Sequence, residues 1–94
     1  RNSPGNLDGA SAVRIGSLAA GKRAGHAPRA PIRSFASIGT EPSIMLTGPA
    51  YAAQNALERA GMRAADLDRY ELNEAFASVV LRFLAAMAIA HDRI

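Results

Sequence analysis

The chain of 94 residues contains no cysteine and no tryptophan, and aromatic residues make up only 5% of it. The lack of cysteine excludes a disulfide, a thiolate metal site and a cysteine nucleophile within this chain. No apolar run approaches the roughly 20 residues that a membrane-spanning helix needs, and nothing near Arg1 resembles a signal peptide. We therefore expect no membrane span and a cytoplasmic location.

What the chain does have is a 49% share of hydrophobic residues, which is typical of a globular fold. Its charge is uneven: residues 1–40 carry six basic groups and one acidic group, whereas residues 41–94 carry five basic and seven acidic groups. A basic half could meet nucleic acid or a phosphorylated cofactor. The arginines are scattered and not interleaved with aromatic residues, which favours a solvated surface and no nucleic-acid partner.

Three segments have the residue pattern of β-strands: 11–16, 32–39 and 69–72. Val13 and Ile15 would share one face of the first strand. The second carries apolar residues on both faces, as expected for a strand that is covered on both sides.

Helices are predicted between and after these strands. Residues 17–25 form the first, with Ser17 as N-cap and Gly25 just past its end. The second runs over 49–60, with Pro49 in its first turn and Gly61 at its stop.

The last helix has the clearest periodic pattern in the chain, and residues 63–68 predict a turn or a single helical turn before it. Its apolar stripe consists of Phe76, Val79, Val80, Phe83, Leu84 and Met87. Strands and helices alternate, which predicts an α/β fold with helices packed on a sheet.

The stretch Asn73-Glu74-Ala75-Phe76-Ala77 stands where the third predicted strand meets the last helix. Ligands bind at such strand ends in open α/β sheets. A purely structural interpretation also exists, because Asn73 would be a good N-cap and Glu74 would complement the helix dipole. That interpretation does not explain a large apolar Phe76 in the first turn.

Four blocks of sequence, in order, are similar to those of one enzyme family: NSPGNLDGASAV at 2–13, IRSFASIGTEPSIMLTGP at 32–49, ALERAGM at 56–62 and DLDRYELNEAFA at 66–77. The chain resembles the thiolases, in particular the 3-ketoacyl-CoA thiolases of fatty-acid β-oxidation. The resemblance implies that residues 1–94 are a partial thiolase C-terminal domain, incomplete at both ends, within a layered α/β fold.

The resemblance also implies a chemistry. Thiolases cleave a 3-ketoacyl-CoA with coenzyme A to acetyl-CoA and a shortened acyl-CoA, or run the reverse Claisen condensation. Coenzyme A is thus a substrate, and no cofactor is bound covalently. The family's nucleophilic cysteine, its Gly-His-Pro histidine and its second cysteine have no counterpart here, so the chain alone should be inactive. A homodimer or homotetramer is expected for the complete protein.

By the same resemblance, Asn73 matches an asparagine that holds a water at the oxyanion site. A fixed neutral donor there would stabilise a developing enolate. Glu74 would brace the loop or the helix start. Met45 and Phe76 match positions that line the pantetheine tunnel, although ordinary core packing is an equal alternative for both.

Ser3, Pro4 and Gly5 match the family's loop beside the pantetheine arm. Many members have a serine where this chain has Pro4, which offers neither a hydroxyl nor a backbone donor. His26 and His91 match no catalytic motif, and their spacing predicts no metal site. The alternative to an acyltransferase segment is a non-catalytic thiolase-derived scaffold or a small basic binding module.

Overall fold

Helices and irregular chain make up the computed structural model, which describes residues 8–94. Three α-helices follow one another: α1 (Leu18–Arg23), α2 (Gly48–Ala60) and α3 (Ala77–Met87). Single 3₁₀ turns occupy Ala64–Asp66 and His91–Arg93. In the described part of the chain, no helix is long and apolar enough to cross a membrane.

Most helix ends lie where the capping residues predict them. The Ser17 Oγ accepts a hydrogen bond from the Ala20 N–H at 3.2 Å, which caps α1. Pro49 lies in the first turn of α2. Gly61 follows the helix with φ 65°, a left-handed conformation that glycine adopts without a Cβ clash. The predicted single turn within 63–68 is confirmed at Ala64–Asp66.

The prediction that Asn73 caps the last helix is wrong. Helix α3 begins at Ala77, and its N-cap is Phe76, with φ −146° and ψ 150°. The chain first makes a tight turn, in which the Ala75 N–H donates to the Asn73 carbonyl at 3.0 Å. Since a capping side chain must belong to the N-cap residue to reach the first helical amides, Asn73 stands too early in the sequence to do so.

The three predicted strands are also wrong, because residues 8–94 contain no β-strand. A strand exists only when its backbone pairs with a neighbour, and the three segments do not pair with one another. In the second segment, the Phe35 carbonyl accepts from the Arg59 guanidinium at 3.0 Å. In the third, the Tyr70 N–H donates to the Arg93 carbonyl at 2.8 Å.

The core lies between α2 and α3. Ala50, Phe83 and Met87 form its buried cluster, each between 5% and 7% exposed. The apolar face of α2, formed by Ala50, Ala53 and Leu57, therefore packs against α3 and not against the predicted sheet. Further apolar residues pack around this cluster, namely Ala53, Leu57, Ala64, Tyr70, Leu72, Ile89 and Ile94.

Outside this core the chain is open. Its accessible surface is 7900 Å² for a mass of 9.8 kDa, whereas a compact monomer of that mass would expose about 5,200 Å². Its Cα radius of gyration is 16.1 Å, against about 12 Å for a compact domain of this length. Within residues 8–94, large apolar side chains before α2 are widely exposed, for example Val13 at 82% and Phe35 at 78%.

Candidate functional site

The predicted site residues that the structure describes lie in two segments, each leading into a helix. Met45 belongs to the loop before α2, and Asn73, Glu74 and Phe76 belong to the segment before α3. The candidate residues Ser3, Pro4 and Gly5 lie outside the described residues. Neither the core cluster nor the backbone hydrogen bonds of residues 8–94 connect the Met45 loop with the Asn73 segment.

Tyr70 fixes the chain that leads to Asn73. Its hydroxyl donates to the Ala64 carbonyl at 2.5 Å, and its N–H donates to the Arg93 carbonyl at 2.8 Å. Its ring meets Phe83 edge to face, with centroids 6.0 Å apart and an interplanar angle of 69°. The half-buried Leu72 also packs on the core. The chain is thus held against α3 up to the residue before Asn73.

Asn73 itself is exposed, as is Glu74. The first turn of α3 has no side-chain cap, so the Asn73 carboxamide is not engaged in capping this helix. An exposed amide on a short segment between an anchored residue and a helix start can donate to a ligand or a water. Phe76 is 45% exposed, whereas Val79, Phe83, Leu84 and Met87 of the same apolar stripe are buried.

Arg63 and Asp66 form an ion pair across the 3₁₀ turn, in which the Ala64 carbonyl accepts the hydrogen bond from the Tyr70 hydroxyl. The Arg63 guanidinium lies 2.9 Å from the Asp66 carboxylate, which also accepts from the Arg63 backbone N–H at 2.9 Å. The side-chain bond from Arg63, followed by the backbone bond, lowers the pKa of Asp66. Both side chains face solvent, so the pair fixes local geometry more than it adds stability.

The loop that carries Met45 is held by Glu41. The carboxylate of Glu41 accepts from the Ser43 N–H at 2.9 Å and from the Ile44 N–H at 2.7 Å. These two backbone bonds, in that order, lower the pKa of Glu41. Met45 and Leu46 follow with φ of 52° and 57°, a left-handed conformation that is unfavourable for residues with a Cβ.

Two clefts lie beside the core, and no predicted site residue lines either of them. One has a volume of about 210 Å³ and lies where α2 and the 3₁₀ turn meet α3. The other, of about 420 Å³, lies between residues 32–34 and the helices α2 and α3. The larger cleft adjoins the uncovered extended segments, and its position does not coincide with the exposed amide of Asn73.

Sequence reasoning did not identify Glu41 or Tyr70 as organising residues. The Glu-Pro-Ser stretch at 41–43 contains a turn signal, because proline favours the second position of a β-turn. That signal could have indicated a side chain bonded to the following amides. Tyr70 belongs to the predicted strand at 69–72, and no sequence pattern indicates its hydroxyl partner.

Comparison with known proteins gives consistent results. The family model described as "Thiolase, C-terminal domain" matches residues 26–94. A 3-ketoacyl-CoA thiolase of Yersinia pestis (strain Pestoides F) is 50% identical over 82 residues, which is 87% of this chain and 21% of that protein. A 3-ketoacyl-CoA thiolase of Cronobacter sakazakii is 47% identical over 74 residues, or 79% of this chain and 19% of that protein.

A solved structure agrees with these sequences. The crystal structure of human mitochondrial 3-ketoacyl-CoA thiolase matches with a TM-score of 0.77 and 35% identity. The match covers 82% of this chain and 20% of that one. The chain thus spans about a fifth of the length of the relatives it matches. With a family model that covers most of its residues and relatives at half identity, the chain belongs to the thiolase family.

Proposed function

We propose that this chain is a segment of the C-terminal part of a thiolase that acts on 3-ketoacyl-CoA and coenzyme A. The observation that carries the proposal is the 50% identity to a 3-ketoacyl-CoA thiolase over 87% of the chain. In the complete protein the reaction is thiolysis of the 3-ketoacyl thioester, or the reverse Claisen condensation. Coenzyme A enters as a substrate, and the protein acts in the cytoplasm as a homodimer or homotetramer.

Within this function, Asn73 has the catalytic role. Its carboxamide donates to a water beside the thioester oxygen, where negative charge develops as the enolate forms. A neutral donor that is already oriented stabilises that charge without having to reorganise. The exposed position of Asn73 after the anchored Tyr70 and Leu72 supports this assignment.

The remaining candidate residues contact the pantetheine arm or support the segment around Asn73. Met45 and Phe76 offer apolar contact to the pantetheine arm, and their exposure of 62% and 45% leaves them accessible. Glu74 supports the segment around Asn73. Ser3, Pro4 and Gly5 shape the entrance for the same arm, although Pro4 cannot donate a hydrogen bond to it.

A thiolase chimera tests this proposal. In it, the 82 matched residues of the Yersinia pestis relative are replaced by the corresponding residues of this chain. We expect the chimera to cleave acetoacetyl-CoA in the presence of coenzyme A, because the segment supplies compatible packing and the Asn73 donor. The unmodified relative is the positive control. A well-folded chimera with no turnover above background would contradict the proposed function.

A further inference from the structure

Glu41 gathers three consecutive backbone amides into one tight turn. Its carboxylate accepts from the N–H groups of Ser43 and Ile44 at 2.9 and 2.7 Å. Its own carbonyl accepts from the Met45 N–H at 3.3 Å. An ionised acceptor makes stronger hydrogen bonds than a neutral one, and the two amide bonds keep the pKa of this carboxyl below its ordinary value.

The base of the loop is closed as well. A Cβ placed on Gly48 would stand 3.4 Å from the Thr40 Cγ2 atom, so the residues on either side of the loop are in close contact. The loop over 41–47 thus has its two ends side by side and carries the internal hydrogen bonds made by Glu41.

This geometry holds two residues in an unfavourable conformation. Met45 and Leu46 are both left-handed, with φ of 52° and 57°, although neither is a glycine. Such conformations persist only where the surroundings over-determine them, and they concentrate at ligand-binding sites. The bonds made by Glu41 are the interactions that stabilise the turn leading into Met45.

The constrained loop presents apolar side chains to solvent. Ile44 is 73%, Met45 62% and Leu46 45% exposed. Exposure alone does not distinguish this loop, because Val13 and Phe35 are exposed as well; the left-handed backbone at Met45 and Leu46 does. A preorganised loop gains affinity, because it avoids the entropy loss of ordering when a flexible ligand binds. Methionine suits such a ligand, since its side chain is apolar, unbranched and adaptable.

We infer that Glu41 is a positioning residue of the acyl-CoA site, which fixes the loop so that Met45 contacts the flexible thioester-bearing arm of the substrate. This inference rests on the proposed function. Glu41 does not touch the substrate and acts through the backbone of residues 43–45. It should therefore govern how tightly the substrate binds, and not the rate at which the bound substrate reacts.

The test uses the thiolase chimera with Glu41→Gln. The amide of glutamine keeps one acceptor but turns a donor toward a backbone N–H, so one of the two side-chain bonds is lost. We expect the KM for acetoacetyl-CoA to rise about tenfold, equivalent to about 1.4 kcal/mol, while kcat stays within about twofold of the parent, as for a lost binding interaction. Glu58→Gln, at an exposed glutamate of α2, is the matched control and should change neither constant.

A second-site variant separates positioning from a general structural effect. Leu46→Gly removes the conformational penalty at a left-handed position while keeping Met45. Added to Glu41→Gln, it should bring the KM back toward the parent value. An increase in KM that Leu46→Gly does not reduce would show that Glu41 acts otherwise than by holding this loop.

Binding measurements distinguish this inference from the proposed function. The affinity of the chimera for coenzyme A is measured by calorimetry, which requires no turnover. A chimera that binds coenzyme A without catalysing thiolysis would count against the proposed function alone. In that case Glu41→Gln should still weaken the Kd for coenzyme A about tenfold, as estimated for KM. If Glu41→Gln leaves both KM and Kd unchanged, the inference about Glu41 is overturned. A chimera that binds no coenzyme A would overturn both.

Discussion

Two phenylalanines of this chain should respond differently to the same substitution. Phe83 is 6% exposed and packs in the cluster between α2 and α3, whereas Phe35 is 78% exposed on the extended segment before α2. Truncating a buried phenylalanine to alanine costs about 3–5 kcal/mol. Since Phe35 has only about a fifth of its surface in contact, its truncation in the isolated chain should cost less than about 1 kcal/mol.

The assay compares the helical circular-dichroism signal of the isolated chain between the two variants in dilute solution without denaturant. Phe83→Ala should abolish most of the helical signal, because it also removes the edge-to-face contact with Tyr70. Phe35→Ala should leave the helical signal almost unchanged. An equal loss of helix in both variants would refute the inference that the extended segment is uncovered in this chain.

In the thiolase chimera the expectation for Phe35 is reversed. A strand that is apolar on both faces is typical of the interior of an α/β sheet, and the remaining parts of the chimera would supply layers that cover it. Phe35→Ala should then cost about 3–5 kcal/mol there, measured as a drop in the denaturation midpoint. No loss of stability in the chimera would show that this segment stays uncovered there as well.

Three further predictions concern the isolated chain. It should not cleave acetoacetyl-CoA, because covalent acyl transfer needs a nucleophile and the chain has no cysteine; turnover above background would contradict this. It should bind hydrophobic dyes and aggregate or melt without a sharp transition, because so much apolar surface is open. The carboxyl of Asp66 should titrate below its ordinary pKa by NMR. Its stabilising effect is present above the ordinary carboxyl range and is lost as the pH falls through the lowered pKa. Arg63→Ala should reduce the shift, because it removes the side-chain bond, and an unchanged shift would contradict this cause.

Local signals in the sequence predict the helices well. Ser17 and Gly61 mark helix ends because their effects depend on bonds within a few residues. The apolar period of α3 also predicts its buried face, of which Val79, Phe83, Leu84 and Met87 are buried. Phe76 belongs to the same period but lies outside the helix, since the turn at Asn73 delays the helix start.

Local sequence pattern alone could not decide whether the three predicted strand segments pair into a sheet in this chain. The alternation at 11–16 and the apolar run at 32–39 indicate segments that suit a sheet, but pairing depends on neighbours far away in sequence. The role of Glu41 depends likewise on a turn geometry that the residue types only suggest. The candidate residues Asn73, Met45 and Phe76 come from the family resemblance, and composition or spacing alone does not single them out.

The most direct test of the central claim is the turnover of the thiolase chimera with Asn73→Asp. Because Asn73 does not cap α3, this substitution removes the amide donor without removing a helix cap. We expect thiolysis to fall by at least about 100-fold, the usual loss for one oxyanion donor, while the melting temperature stays near that of the parent. Asn55→Asp in α2 adds the same charge away from this segment and should leave turnover unchanged. Near-normal turnover of the Asn73→Asp chimera would contradict the catalytic role of Asn73.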